Sequence, residues 1–220
     1  IALGIERVAF RRLRRNKSPI IYYFVSSITM GILLENLITV FFSSNFYSYP
    51  RFFETATFMV GGFTVAVIDV AMLGISAVSL AVLMFVLHRT VLGTAIRSIS
   101  MDQDTSRLMG INVDLIIAAT FVLVGIFGGL GGVFLGIKYT LYPQLGQLIV
   151  KGFVASVIGG LGNILGAVLG AVFLGLIEVL LIGVPFIGSG LSPVVIFIIL
   201  LVFLIVRPQG IAGILIKEKV

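Results

Sequence analysis

Three carboxylates lie in or beside long apolar stretches of this sequence: Glu35, Asp69 and Glu178. An ionisable group in hydrocarbon is costly, so each requires a cation, a water-filled cavity or a proton. Glu35, followed by Asn36, is nearest the centre of its stretch and fits either a translocation pathway or a polar contact within a bundle. Asp69 stands close to a boundary and reads as hydrated. Glu178 lies within reach of Lys151, and a structural charge pair is the favoured reading there. Covalent chemistry is poorly provided for. The single histidine, His88, adjoins Arg89 at the end of an apolar stretch, the position of a solvated terminus more often than of a catalyst. With one histidine, no cysteine and no clustered carboxylates, an intramembrane hydrolase or metalloenzyme would lack its parts. No Gly-x-x-x-x-Gly-Lys-Ser/Thr phosphate loop is present, so ATP is not bound by that route.

The elements that would position these groups follow from composition. Hydrophobic residues make up 59% of the 220 positions and charged residues 11%, with a mean hydropathy of +1.22. So few charges cannot clothe a water-soluble domain of this size. Each crossing of a bilayer core needs about 20 apolar residues. The sequence predicts spans over Ile20–Phe42, Val65–Leu87, Leu115–Ile137 and Leu191–Val206. Residues 43–64 form a polar and aromatic connection containing Pro50, Arg51, Glu54 and the turn-forming Gly61-Gly62. From Gln144 to Val184 we expect a short limb to about Gly159, a break at Gly159-Gly160-Leu161-Gly162-Asn163, and a returning helix to about Leu181. About 15 residues rise only ~23 Å, so the first limb is broken or re-entrant. The opening Ile1–Ile5 reads as the tail of a helix already under way, and further N-terminal sequence with additional spans is expected.

The net charge of +6 is distributed in clusters that flank the apolar stretches. Placing 1–18, 88–114 and 207–220 in the cytoplasm puts 12 of the 15 Lys and Arg inside, leaving Arg51, Lys138 and Lys151 elsewhere. The six tyrosines fall at predicted span ends, where amphipathic rings favour the headgroup level. A nucleic-acid groove would need the charge on one exposed face with stacking aromatics, so nucleic acid is set aside.

Small residues recur every four positions at Gly128, Gly132 and Gly136 and again at Gly162, Gly166 and Gly170, a spacing that predicts close helix packing. The segment 88–114 is more informative. Ser100-Met101-Asp102-Gln103 has capping-box spacing, Asp102 and Asp104 suit a helix N-terminus, and Gly110 offers a stop. This predicts a short helix at 101–109, with Leu108 and Met109 as apolar residues in a polar surrounding.

Asp104-Thr105-Ser106 followed after three residues by Gly110 is similar to the Glu-Ala-Ala-x-x-x-Gly motif of permeases in ATP-binding-cassette importers. Arg97, Leu108-Met109-Gly110-Ile111-Asn112, Lys151-Gly152-Phe153, Val157 to Asn163, Gly166-Ala167, Gly170, Gly175, Glu178 and Arg207-Pro208-Gln209-Gly210-Ile211 resemble the branched-chain amino-acid permease family over nearly the whole chain. Ile5-Glu6-Arg7 with Arg11 and Arg14 points to its shorter, LivH-type member. Gly152 and Leu165 depart from the usual Ala and Pro. The resemblance implies an all-α polytopic transmembrane helical bundle with a broken or re-entrant segment and a cytoplasmic coupling helix. Its parts are a basic lead-in at 1–18, a permease domain at 19–206 with the coupling segment 88–114, and a cytoplasmic tail at 207–220. It further implies a multi-pass protein of a prokaryotic cell membrane, importing branched-chain amino acids or related small solutes. The implied partners are two cytoplasmic ATP-binding subunits, a second, LivM-like permease and an external solute-binding protein. ATP-Mg belongs to the partner subunits, with no cofactor in this chain. Coupling to the ATPase would fall to Asp104, Thr105, Ser106, Leu108, Met109 and Gly110. Two other classes remain: a secondary transporter or channel using Glu35 or Asp69 as an ion site, and a non-transporting scaffold assembled through the glycine faces.

Overall fold

The computed structural model describes residues 1–16, 18–49, 57–60, 63–160, 162–183, 188–207 and 210–211. Lys17, the Pro50–Glu54 connection, the Gly61-Gly62 turn, Leu161, Pro208-Gln209 and the tail beyond 211 lie outside these residues, so the expectations placed on them are not described. The chain forms two units, Ile1–Gly146 and Gln147–Val220.

The first unit opens with an almost unbroken helix: α1 (Ala2–Ile5), a π-helical turn at Glu6–Phe10, and α2 (Arg11–Arg15). Pro19 precedes α3 (Ile20–Phe42), whose interior holds no proline and no charge except Glu35. A short antiparallel hairpin follows, β1 (Thr57–Val60) and β2 (Phe63–Ala66), with Thr57 opposite Ala66 and Val60 opposite Phe63. This hairpin lies in the stretch read from the sequence as a polar and aromatic connection and takes the first two residues of the span expected from Val65; its β-branched and aromatic residues suit a pleated strand. Then come α4 (Val67–Arg89), α5 (Val91–Met101), α6 (Gln103–Leu108) and α7 (Val113–Lys138).

The lead-in packs antiparallel along the first half of α7. A Cβ added to Gly125 would lie 2.7 Å from that of Ala2, Phe10 and Phe121 have ring centroids 5.2 Å apart, and Arg14 bonds Asp114. Residues 2–10 therefore run beside a long apolar helix, and only the Arg11–Ser18 end is level with its start. At the far end of α7, Lys138 Nζ donates to Asp69 Oδ1 at 2.6 Å, joining α7 to the start of α4.

A 3₁₀ turn at Pro143–Leu148 leads from the first unit into the second, which holds α8 (Ile149–Gly159), α9 (Ile164–Ile182) and α10 (Gly188–Val206). Eleven residues give α8 a rise of only ~16 Å, about half a hydrocarbon core. Asn163 caps α9, its Oδ1 accepting from Gly166 N–H at 3.1 Å. Val154, Ala155, Ile158, Leu174 and Ile196 form the buried core of the unit. α8 and α9 touch backbone to backbone: a Cβ on Gly159 would stand 2.0 Å from Gly166 O, and one on Gly170 2.2 Å from Ala155 O. Lipid tails are as apolar as leucine, so burial alone does not hold such helices together. Close dispersion contact between bare backbones does.

Among the described residues, four helices are long and apolar enough to cross a membrane: Ile21–Phe42, Val67–Arg89, Val113–Lys138 and Ile164–Leu181. Their large side chains are mostly exposed within this chain, as expected where lipid is the solvent. The protein is an all-α, multi-pass membrane protein.

Candidate functional site

Residues 88–114 fold into two helices joined by tight corners. Thr90 closes the first: its hydroxyl donates to Val86 O at 2.5 Å and accepts from Gly93 N–H at 3.3 Å. A Cβ on Gly93 would meet Leu87 O at 2.2 Å and Val86 O at 2.5 Å, so a bare backbone is required for α5 to start this close to α4. Arg97 reaches back, its Nη1 donating to Leu87 O at 2.7 Å. This sets a cation on the carbonyl end of α4, where the helix dipole favours it. His88 is a helix-terminal residue, with Nδ1 3.0 Å from Met84 O.

Asp102 opens α6. Its Oδ1 accepts from the backbone N–H groups of Asp104 at 2.9 Å and Thr105 at 3.2 Å, and its Oδ2 from the Thr105 hydroxyl. The Thr105 hydroxyl first, and then the two N–H groups, hold this carboxyl below the ordinary carboxylate range. The capping-box reading is therefore corrected. Ser100 belongs to the last turn of α5, its hydroxyl donating to Arg97 O at 2.7 Å. The chain extends at Asp102 (φ −158°, ψ 116°), so the cap falls two residues later and the helix is Gln103–Leu108 rather than 101–109.

Gly110 ends α6 at φ +83°. Its N–H donates to Arg107 O at 3.0 Å and that of Ile111 to Ser106 O at 3.1 Å, the paired closure of a Schellman motif. Asn112 Oδ1 then accepts from Leu115 N–H at 3.2 Å and starts α7. One extended residue thus separates α6 from α5, and four separate it from α7. Ser106 faces inward, 4% exposed, whereas Leu108 is 88% and Met109 79% exposed. Neither apolar side chain is covered by the described spans. Thr105 is exposed, and Asp104 pairs with Arg107 at 3.5 Å. Gly110→Val is expected to cost about 1–3 kcal/mol of local stability, because a β-branched residue resists positive φ. Faster hydrogen exchange at residues 103–112, with α7 unchanged, is the measurement that checks it.

Beside this segment lies a network not anticipated as a site. Arg14 is 8% and Glu6 3% exposed. Arg14 Nη2 donates to Glu6 Oε1 at 3.0 Å and to Asp114 Oδ1 at 2.7 Å, and Arg11 stands 3.9 Å from Asp114. It fixes the lead-in to the first turn of α7. Glu6 and Arg14 are eight residues apart on one helix, which hints at a shared face, but nothing local ties either to Asp114.

The remaining groups separate clearly. Lys151 Nζ donates to Glu178 Oε1 at 2.5 Å, bridging the first turn of α8 to the last third of α9. Removing either partner leaves a lone charge in a partly covered site. Lys151→Met and Glu178→Gln are each expected to lower the thermal midpoint, and the double variant to lose less than their sum. Glu35 is half-covered and its carboxylate has no hydrogen bond or ion pair among the described residues, its backbone carbonyl accepting from the Thr39 hydroxyl at 2.9 Å, while Asn36 Nδ2 donates to Ile32 O of its own helix at 2.7 Å. The glycines are also sorted. Gly166 and Gly170 meet α8, and Gly136 faces Tyr49 and Leu141. Gly128 and Gly132 have no heavy atom within 4 Å of an added Cβ among the described residues, and Gly162, at φ +90°, serves a turn.

Residues 8–204 match the family described as branched-chain amino acid transport system / permease component. The chain is 33% identical over 216 residues to the high-affinity branched-chain amino acid transport system permease protein BraD of Pseudomonas aeruginosa, covering 96% of this chain and 69% of that one. It is 31% identical over 217 residues to the correspondingly described LivH of Escherichia coli K12, again covering 96% and 69%. LivH of Salmonella typhimurium gives the same figures. No solved structure matches.

Proposed function

Since this chain belongs to the family of branched-chain amino acid transport system permease components, we propose that it forms the path of an importer driven by ATP hydrolysis on two separate cytoplasmic subunits. It is a transport component and not an enzyme. Its solutes are branched-chain amino acids or related small molecules. Its partners are a second, LivM-like permease and an external solute-binding protein, and its site is the cell membrane of a prokaryote. ATP and Mg²⁺ act on the partner subunits.

The observation that carries this reading is the pair Leu108 and Met109, exposed at the end of a helix capped on both sides and tied to two spans. An exposed apolar pair on a polar segment marks a partner surface. ATPase closure presses on α6. The Asp102 junction and the pinned α4–α5 corner carry the displacement to α4, and the Gly110–Asn112 closure carries it to α7. Two spans then shift together, which is the motion alternating access needs.

A rival secondary transporter would rest on unpaired intramembrane acids. Asp69 is bonded to Lys138, which leaves Glu35 as its support. Uptake into proteoliposomes separates the two: ATP-dependent uptake that survives ionophores is expected, and uptake driven by an ion gradient without ATP would overturn the proposal. For orientation, Gln103→Cys is expected to stay unmodified by an impermeant thiol reagent added to intact cells. Labelling there would reverse the topology.

A further inference from the structure

Among the described residues, Asp114 makes the only polar ties between the lead-in and α7, to Arg14 Nη2 at 2.7 Å and to Arg11 at 3.9 Å. The other contacts, Ala2 against Gly125 and Phe10 against Phe121, are apolar and hold the two elements together without fixing their register. How α7 starts is therefore set at Arg14. Its second partner, Glu6, is presented by the π-helical turn. The Arg11 N–H reaches back five positions to Glu6 O, so this turn holds one residue more than an α-helix would. Eight positions of plain α-helix overshoot two full turns by about 80°. With one residue absorbed in the π-turn, Glu6 and Arg14 come round to one face, and both are buried there.

This guanidinium has two ways to be satisfied. Here Nη2 alone serves both carboxylates, and Nε is buried without a partner. Turned away from Asp114, the group would give Nε and Nη2 together to Glu6, the bidentate pairing that suits a carboxylate. Asp114 is half-exposed and has Arg11 beside it, so its carboxylate is solvated once released. Arg14 keeps Glu6, and neither state leaves a buried charge alone. We propose that Arg14 is a latch. Bonded to Asp114 it holds α7 in the conformation described here, and folded onto Glu6 it lets α7 move. Asp114 is the second residue of α7, directly after the Gly110–Asn112 closure, where the displacement of α6 reaches this span. Arg14 is thus a positioning residue for transport, a role that rests on the transport reading.

The two carboxylates are expected to act in opposite directions, which a merely structural cluster would not do. In proteoliposomes of the full assembly, Asp114→Asn removes the held state. It is expected to raise solute-independent ATP hydrolysis at least three-fold and to lower uptake per ATP, and Asp114→Glu to restore both. Glu6→Gln removes the released state and is expected to lower solute-stimulated hydrolysis at least three-fold. The latch itself is read by spin labels on Arg12→Cys and Val124→Cys, exposed positions on the lead-in and α7 of a chain with no cysteine of its own. Their distance distribution is expected to hold two populations, shifted one way by Asp114→Asn and the other way by Glu6→Gln. One unchanged population in all three proteins, or hydrolysis moved in the same direction by both variants, overturns the proposal. If Glu6→Gln does not fold, Asp114→Asn decides alone, and the latch falls if neither its distances nor its hydrolysis change. Uptake by the unaltered assembly that ignores ATP would sink the transport reading instead, and the distances, which need no ATP, would still decide the latch.

Discussion

Leu108→Asp is expected to release the ATPase from the membrane complex and to stop solute-stimulated hydrolysis, while the protein inserts at its normal level. Leu108 is almost fully exposed in this chain, so a charge there is solvated and disturbs no internal packing. In an interface the same carboxylate would replace an apolar contact and be buried without a cation. Loss of a central apolar anchor costs about 2 kcal/mol or more, on the order of a 30-fold weaker complex. Pull-down of the ATPase, together with hydrolysis measured with and without solute, gives the result. A variant that keeps the ATPase and still couples hydrolysis to uptake would show that α6 is not the docking helix. Met109→Asp in the same assay asks whether the surface is one residue or a patch.

Replacing Gly170 or Gly159 is expected to give the largest structural effect. The atoms an added Cβ would meet are backbone: Ala155 O at 2.2 Å for Gly170 and Gly166 O at 2.0 Å for Gly159. A side chain could swing aside, but here the two helices must separate. Gly170→Val is expected to lose at least about 3 kcal/mol, the upper end of overpacking costs, and to deplete folded protein from the membrane. Thermal melting of the purified protein, with quantitative blotting, checks it. Gly128→Ala is the control. It adds the same kind of group where nothing lies within 4 Å among the described residues, and the melting temperature is expected to hold. A normal midpoint for Gly170→Val would mean that α8 and α9 do not meet as described.

The sequence alone determined what depends on the chain's own neighbours. Ile20–Phe42 is a helix in the structure because 23 residues with one charge suit hydrocarbon wherever they are placed. Gly110 ends α6 because positive φ is a local matter. Asn112 and Asn163 cap helices through bonds to residues three positions on. Ser100 and Asp102 mark the limit of this logic. Both can cap, and the choice fell to Asp102 where α5 continues through Met101, held on one side by Arg97 and Thr90 against α4. Tertiary structure alone decided the rest. Arg14 and Asp114 are 100 positions apart, and no pattern within either segment records their bond. Gly128 and Gly170 sit in equivalent four-residue repeats, yet among the described residues one faces open space and the other a backbone carbonyl. The repeat states that a helix face is bare; only the approach of a second helix settles whether that bareness is used.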